Sequence, residues 1–357
     1  MSTPVMFKPA MSTPAMFKPA LLLALLTCLS LPLQAAESSA ERLDAALAQP
    51  VREDAAAARK DGVFFGIFRA GDLTDLAEDA PADLRFKPAS VMWFTRFGGG
   101  NFPESEIAFL WSKGYVAQVT WEPMDWKGEG VSLQAVIDGK WDEYLDTYAK
   151  AAAKQNIPFM LRWGHEFNGD WYPWSITKNG NNAKLYAAAF RHVVDRFRKA
   201  GAHKVQFVWC YNNEGVPKSI DPFDAWPGDE YVDWIGIDGY NWGRSQSWSK
   251  WASFEETFGP AYALAAKYAP GKPIVIGEMA SSEVGGDKAA WLKDMFAVLP
   301  RYPAIRALTW FDLNKETNWS LSSSDEVYLA FIKGLEQPYW RGNAEALIAV
   351  AAKPPKP

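Results

Sequence analysis

Residues 158–166 read Pro158-Phe159-Met160-Leu161-Arg162-Trp163-Gly164-His165-Glu166, and residues 273–278 read Pro273-Ile274-Val275-Ile276-Gly277-Glu278. In each, an apolar run of strand length ends on a glutamate. A strand that is apolar at nearly every position is buried on both faces, which is the condition of a parallel sheet covered by helices. Comparable runs occur at 63–68, 91–97, 115–121, 205–212, 232–240 and 305–312. Helical patterns stand between them at 104–113, 141–155, 183–199, 258–268 and 288–299, with another at 325–335 after the last run. The Pro- and Asp-rich stretch before the sixth run has the weakest helical pattern. Strands alternating with helices eight times over about 250–300 residues predict an α/β fold of the (β/α)8 TIM-barrel type, in a single domain. No glycine-rich phosphate loop follows the first run, which counts against an open doubly wound dinucleotide fold.

Alternation along each strand then sorts its side chains by face. Glu166 shares parity with Arg162, Glu278 with Ile276, Tyr240 with Asp238, and Glu122 with Thr120 and Gln118. These polar groups fall at or near the C-terminal ends of their strands, where barrel active sites lie. A carboxyl group at the mouth of a buried barrel is poorly solvated, so its proton affinity can be tuned. Two facing carboxyl groups are the equipment for cleaving a glycosidic bond: one delivers a proton to the leaving oxygen, and the other attacks or activates water. The segment Asn168-Gly169-Asp170-Trp171-Tyr172-Pro173-Trp174 follows the first glutamate and offers flat aromatic faces on which sugar rings stack.

Composition narrows the rest. The net charge of −5 leaves no basic footprint for nucleic acid. Three histidines and two cysteines form no ligand cluster in the sequence, so neither a metal nor another cofactor is expected. Eighteen tryptophans exceed what a core of this size needs, and some are expected to line a ligand surface. At the N-terminus, residues 1–10 and 11–20 are near-identical, and Lys8 and Lys18 precede the apolar stretch 21–33, followed by Gln34-Ala35-Ala36. A positive region, a short apolar core and small residues make a secretory signal peptide. The expected organisation is therefore a signal peptide at 1–36, a helical extension at 37–62, the barrel at 63–340 and a frayed tail at 341–357. The mature chain is expected to be secreted or periplasmic, monomeric and free of stable membrane insertion, with a polysaccharide as its partner.

The motif Arg162-Trp163-Gly164-His165-Glu166-Phe167-Asn168-Gly169-Asp170-Trp171 resembles the acid/base motif of family 26 glycoside hydrolases, the β-mannanase family. Ile276-Gly277-Glu278 resembles that family's nucleophile strand, and Asp238-Gly239-Tyr240 and Trp310 match its strand-six and strand-eight positions. The resemblance implies a retaining double displacement with Glu166 as general acid/base and Glu278 as nucleophile. It further implies that Arg162, His165 and Tyr240 orient the carboxylates, and that Trp171 and Trp310 stack on sugars beside the bond that breaks. Asp238, Trp121, Glu122 and Trp174 join these as expected substrate contacts. Many mannanases of the family carry a histidine near the end of strand three. Here that region reads Val119-Thr120-Trp121-Glu122-Pro123, closer to members that act on mixed-linkage β-1,3-1,4-glucan. The expected substrate is thus β-mannan or mixed-linkage β-glucan. A non-catalytic polysaccharide binder and a trimming transglycosylase are the alternative readings.

Overall fold

The computed structural model describes residues 62–351. The expected signal peptide, the helical extension up to residue 61 and residues 352–357 lie outside the described residues. In chain order the elements are β1 (Val63–Arg69), α1 (Leu73–Leu84), β2 (Ser90–Arg96), α2 (Glu104–Ser112), β3 (Val116–Glu122), α3 (Leu133–Ile137), α4 (Asp142–Gln155), β4 (Phe159–Trp163) and α5 (Ala183–Lys199). There follow β5 (Val205–Asn212), β6 (Trp234–Asn241), α6 (Phe254–Tyr268), β7 (Ile274–Ser281), α7 (Lys288–Val298), β8 (Ile305–Asp312), α8 (Asp325–Leu335), β9 (Trp340–Arg341) and α9 (Ala344–Ala351). The first eight strands are parallel and hydrogen-bonded in chain order, and β1 pairs with both β2 and β8, closing the ring. The expected TIM barrel is what the chain forms.

Local chemistry explains where the elements depart from the sequence pattern. Helix α6 starts before residue 258 because Ser253 and Glu256 form a reciprocal capping box. Helix α1, which the periodicity did not single out, is started by Asp72 accepting from the Thr74 amide. Between β5 and β6, two short 3-10 turns, Pro222–Ala225 and Asp229–Tyr231, stand where the barrel repeat would have a helix. Strand β4 stops at Trp163 because Gly164 turns into the left-handed region at φ 59°.

Two apolar layers hold the barrel. Outward-facing residues such as Ile67, Val119, Leu161, Trp209, Ile276 and Leu308 pack beneath the helices. Inward-facing Phe64, Val116, Met160, Val208, Trp234, Val275 and Ala307 fill the lower interior. Above them Gln118 donates to Ser90 Oγ at 2.6 Å, starting a polar storey that rises to the mouth.

The expectation of a frayed terminus is corrected. Strand β9 pairs with the start of β1, and α9 lays Ala344 and Leu347 against the inward-facing cluster, closing the bottom of the barrel. Gln206 Nε2, inside β5, donates to the Ile348 carbonyl at 2.7 Å. The Ala-rich stretch before the final prolines is thus a plug, and Leu347 is fully buried. None of the described helices is long and apolar enough to cross a membrane.

Candidate active site

The C-terminal ends of β3 to β7 bring Glu122, Arg162, Asp238, Tyr240 and Glu278 to one mouth, with His165 and Glu166 on the turn leaving β4. At its centre is the Arg162 guanidinium, buried and fully engaged. Its Nη1 donates to both Asp238 oxygens at 2.7 and 2.6 Å, its Nη2 to Glu278 Oε1 at 2.6 Å, and Nε and Nη2 to Thr120 Oγ1 at 3.0 and 2.7 Å. A planar fork bound at each edge has one orientation, so Arg162 fixes where Glu278 points. Burial pushes the Asp238 carboxyl up, against the guanidinium that favours its charged form. Both Asp238 oxygens are taken by the Arg162 guanidinium, so Asp238 positions Arg162 in place of the expected contact with substrate.

Glu278 reaches the interior through a break in alternation. In the β6–β7 ladder Ile237 pairs with Ile276 but Asp238 pairs with Glu278, so Gly277 is an extra residue, a β-bulge. Ile276 faces the outer layer. The bulge turns Glu278 inward, a change of direction that simple alternation does not give. Only glycine fits there: a Cβ on residue 277 would stand 2.5 Å from Asp238 Oδ1 and 2.8 Å from Arg162 Nη1. The other Glu278 oxygen accepts from the Tyr240 hydroxyl at 2.5 Å. Burial and the adjacent Glu278 push the Tyr240 phenol well up, so it stays a proton donor. Both oxygens of Glu278 act as acceptors, the role a carboxylate fills.

Glu166 lies past the end of β4 with φ 51°, a left-handed conformation that a non-glycine residue adopts at about 1–3 kcal/mol. The surroundings enforce it. Its amide donates to the Cys210 carbonyl at 3.0 Å. Trp171 Nε1 donates to Oε2 at 2.6 Å, and Asn212 Nδ2 donates to Oε1 at 2.9 Å. Asn212 is itself pinned by Asn168, which exchanges two hydrogen bonds with its backbone at 2.8 Å each. Asn212 was missed by the sequence reading; its signal was a polar residue of inward parity at the end of β5. His165 stands between the two glutamates' surroundings, with Nε2 3.2 Å from the Tyr172 hydroxyl and 3.9 Å from Glu278 Oε1.

Glu122, the third glutamate at the mouth, is fully buried, and among the described residues neither of its oxygens has a hydrogen-bond partner. Burial pushes it up to about 8, with Arg96 pulling the other way and Glu278 adding repulsion. Near neutral pH it is a neutral acid.

Three expected sugar platforms are corrected. Trp310 faces outward between Trp291 and Phe331, with its Nε1 donating to the Trp319 carbonyl at 3.0 Å. Trp121 stacks on Tyr148 of α4 at 4.2 Å beneath the helices. Trp174 is fully buried behind the site, stacked on Tyr172 at 4.2 Å, and donates to the His165 carbonyl. Each of these indoles lies on the wrong face, or one layer too deep, to meet a ligand. Phe311 takes the inward position on β8, 5.8 Å from Tyr240. Asp312, at the end of β8, ties the following loop by accepting from the Leu321 amide at 2.8 Å and pairing with Arg69 at 2.6 Å.

Ligand atoms of His165, Asp238 and Glu278 lie within 4.8 Å of one another, a spacing that would admit a cation. The guanidinium of Arg162 already stands there, bonded to both carboxylates. A fixed organic cation occupies the position a metal would take.

Known proteins resemble this chain in sequence and in fold. The sequence model of glycosyl hydrolase family 26 matches residues 119–284, from β3 through the end of β7. Endoglucanase H of Acetivibrio thermocellus is 40% identical over 226 residues, covering 62% of this chain and 24% of that protein. Beta-1,3-xylanase TXYA of Vibrio sp is 31% identical over 135 residues, covering 34% of this chain and 27% of that one. The catalytic domain of Bacillus sp. JAMB-750 GH26 endo-beta-1,4-mannanase has the same fold, with a TM-score of 0.62 at 18% identity over 86% of this chain and 95% of that one. The chain spans about a quarter of the length of the curated relatives it matches. Residues 119–284, which carry both glutamates, thus match glycosyl hydrolase family 26, and the eight-stranded barrel agrees with that match.

Proposed function

We propose that the protein is a retaining endo-β-glycanase that cleaves β-1,4 bonds within mixed-linkage β-1,3-1,4-glucan, with β-mannan as the second candidate substrate. The observation that carries the reading is the pair of glutamates at one barrel mouth, held by different donors. Glu278 is clamped by Arg162 and Tyr240, and Glu166 by Trp171 and Asn212.

In the first step Glu166 gives its proton to the glycosidic oxygen while a Glu278 oxygen attacks the anomeric carbon. The leaving chain departs with that proton, and a glycosyl ester to Glu278 remains. In the second step the Glu166 carboxylate takes a proton from water, whose oxygen displaces Glu278 and restores both groups. Trp171 and Asn212 each donate to one Glu166 oxygen and so fix the group that carries the travelling proton. Tyr240 and Arg162 hold the attacking carboxylate in a single orientation, so little of the barrier is spent on ordering it. His165 lies 3.9 Å from Glu278 Oε1 and keeps Tyr172 in place.

Two observations favour glucan. The strand-three sequence Thr120-Trp121-Glu122-Pro123 has no histidine in the region where many mannanases carry one. The relative with 40% identity is called an endoglucanase, whereas the mannan endo-1,4-beta-mannosidases match shorter stretches at 28–33%. The N-terminal signal-like segment supports secretion or export to the periplasm, and nothing in the reading requires a partner protein.

The test is a hydrolysis panel of mixed-linkage β-glucan, β-mannan, glucomannan and β-1,3-xylan. Rapid viscosity loss with the mixed-linkage glucan is the expected result. Binding to a glycan without new reducing ends would favour a carbohydrate-binding protein, and longer products at high oligosaccharide concentration a transglycosylase.

A further inference from the structure

One row of aromatic rings leads outward from the barrel mouth. From Tyr240, whose hydroxyl holds Glu278, the rings continue to Trp319 at 5.0 Å and to Trp242 at 5.8 Å, and from Trp242 to Trp248 at 5.3 Å. Trp319 is buried and packs edge-on against Trp242 at 4.8 Å, so it backs the row. Trp248 ends the row and is 54% exposed.

The segment that carries Trp242 and Trp248, between β6 and α6, is tied at several points. Asn241 Oδ1 accepts from the amides of Gly243 and Ala252 at 3.1 and 3.0 Å. The Arg244 amide donates to the Val284 carbonyl at 2.7 Å, and Ser249 Oγ to the Gly243 carbonyl at 2.8 Å. A bare indole on a pinned loop keeps apolar surface in water permanently, which is unfavourable unless a ligand covers it. Its neighbours already form a continuous path of rings to the reacting carboxylate.

We infer that Trp248, backed by Trp242, is the platform of an outer subsite that takes a pyranose residue of a β-linked glycan chain, beyond the residues flanking the bond that breaks. This rests on the glycanase reading above. An indole face and the C–H face of a pyranose are both apolar, so stacking covers the exposed surface without charge or metal. Because the loop is already fixed, little ordering opposes the contact. The subsite makes affinity grow with chain length and favours cleavage inside a polymer over trimming of its ends.

Wild type and Trp248→Ala are compared on the cleaved polysaccharide and on its oligosaccharides of increasing length. The expected result is a KM raised about tenfold for the polymer and the longest oligosaccharides, with kcat nearly constant. The ratio of polymer to shortest-substrate kcat/KM falls with it, and Trp248→Phe restores most of the difference. A KM raised equally at every length, or unchanged at every length, overturns the inference. If wild type cleaves none of the glycans, the hydrolase reading fails, and affinity electrophoresis in gels containing each polysaccharide reads the subsite alone. Retardation of wild type that Trp248→Ala abolishes upholds the platform; equal retardation of both, or none of either, overturns it.

Discussion

The substitution Glu122→Gln isolates one buried ionisable group. The Glu122 carboxyl is pushed from an ordinary 4.5 to about 8, chiefly by burial. The native state therefore keeps a proton that the unfolded chain releases as pH rises past 4.5. Between those values stability falls with pH, because the folded form binds more protons than the unfolded one. At about 1.36 kcal/mol per unit, the penalty reaches about 3 kcal/mol at pH 7 and about 5 kcal/mol at pH 8 and above. Below pH 4.5 it is absent. The amide that replaces the carboxyl cannot ionise and has nearly the same shape, so the variant carries no such slope. Urea unfolding of both proteins at pH 4.5, 6, 7 and 8.5 measures the effect. The expected gap, variant over wild type, widens by about 3 kcal/mol from pH 4.5 to 7 and stops widening above pH 8. A gap that stays constant across that range would show that Glu122 is solvated or paired, and would refute the reasoning.

Other perturbations read separate parts of the structure. Tyr240→Phe removes the 2.5 Å donor to Glu278, and kcat should fall about 10²–10³-fold with little change in KM, measured by steady-state hydrolysis. Gly277→Ala drives a methyl group into the Arg162–Asp238 pair; a loss of about 1–3 kcal/mol in urea unfolding, together with lost activity, is expected. Leu347→Ala hollows the plug under the barrel and should lower unfolding free energy by about 2–5 kcal/mol while leaving KM unchanged.

Much of this architecture was legible because burial on both faces forces apolar runs, and a parallel barrel repeats them. The glutamates were legible as polar residues ending such runs. Glu278 shows where alternation stops serving: counted from Ile276 it belongs to the outer face, and only the bulge at Gly277 turns it inward. A glycine before a strand-end carboxylate was the available sign. For Trp310 and Trp121 the sign was parity itself, since each has neighbours of the opposite face, Thr309 and Phe311 for one, Thr120 and Glu122 for the other. The plug was hidden because residues 344–351 are short and Ala-rich, and only the open end of a barrel gives such a helix something to cover. Asn212 could not be ranked from sequence, because its role depends on a strand whose neighbour in the barrel carries Glu166.

The central claim is that Glu278 attacks the sugar and Glu166 serves first as acid and then as base. Proton NMR of the first products from mixed-linkage β-glucan tests it most directly, because two displacements preserve the anomeric configuration. The β-anomer should appear first and mutarotate slowly toward the α-form. An α-anomer as the first product would mean a single displacement and would contradict the account.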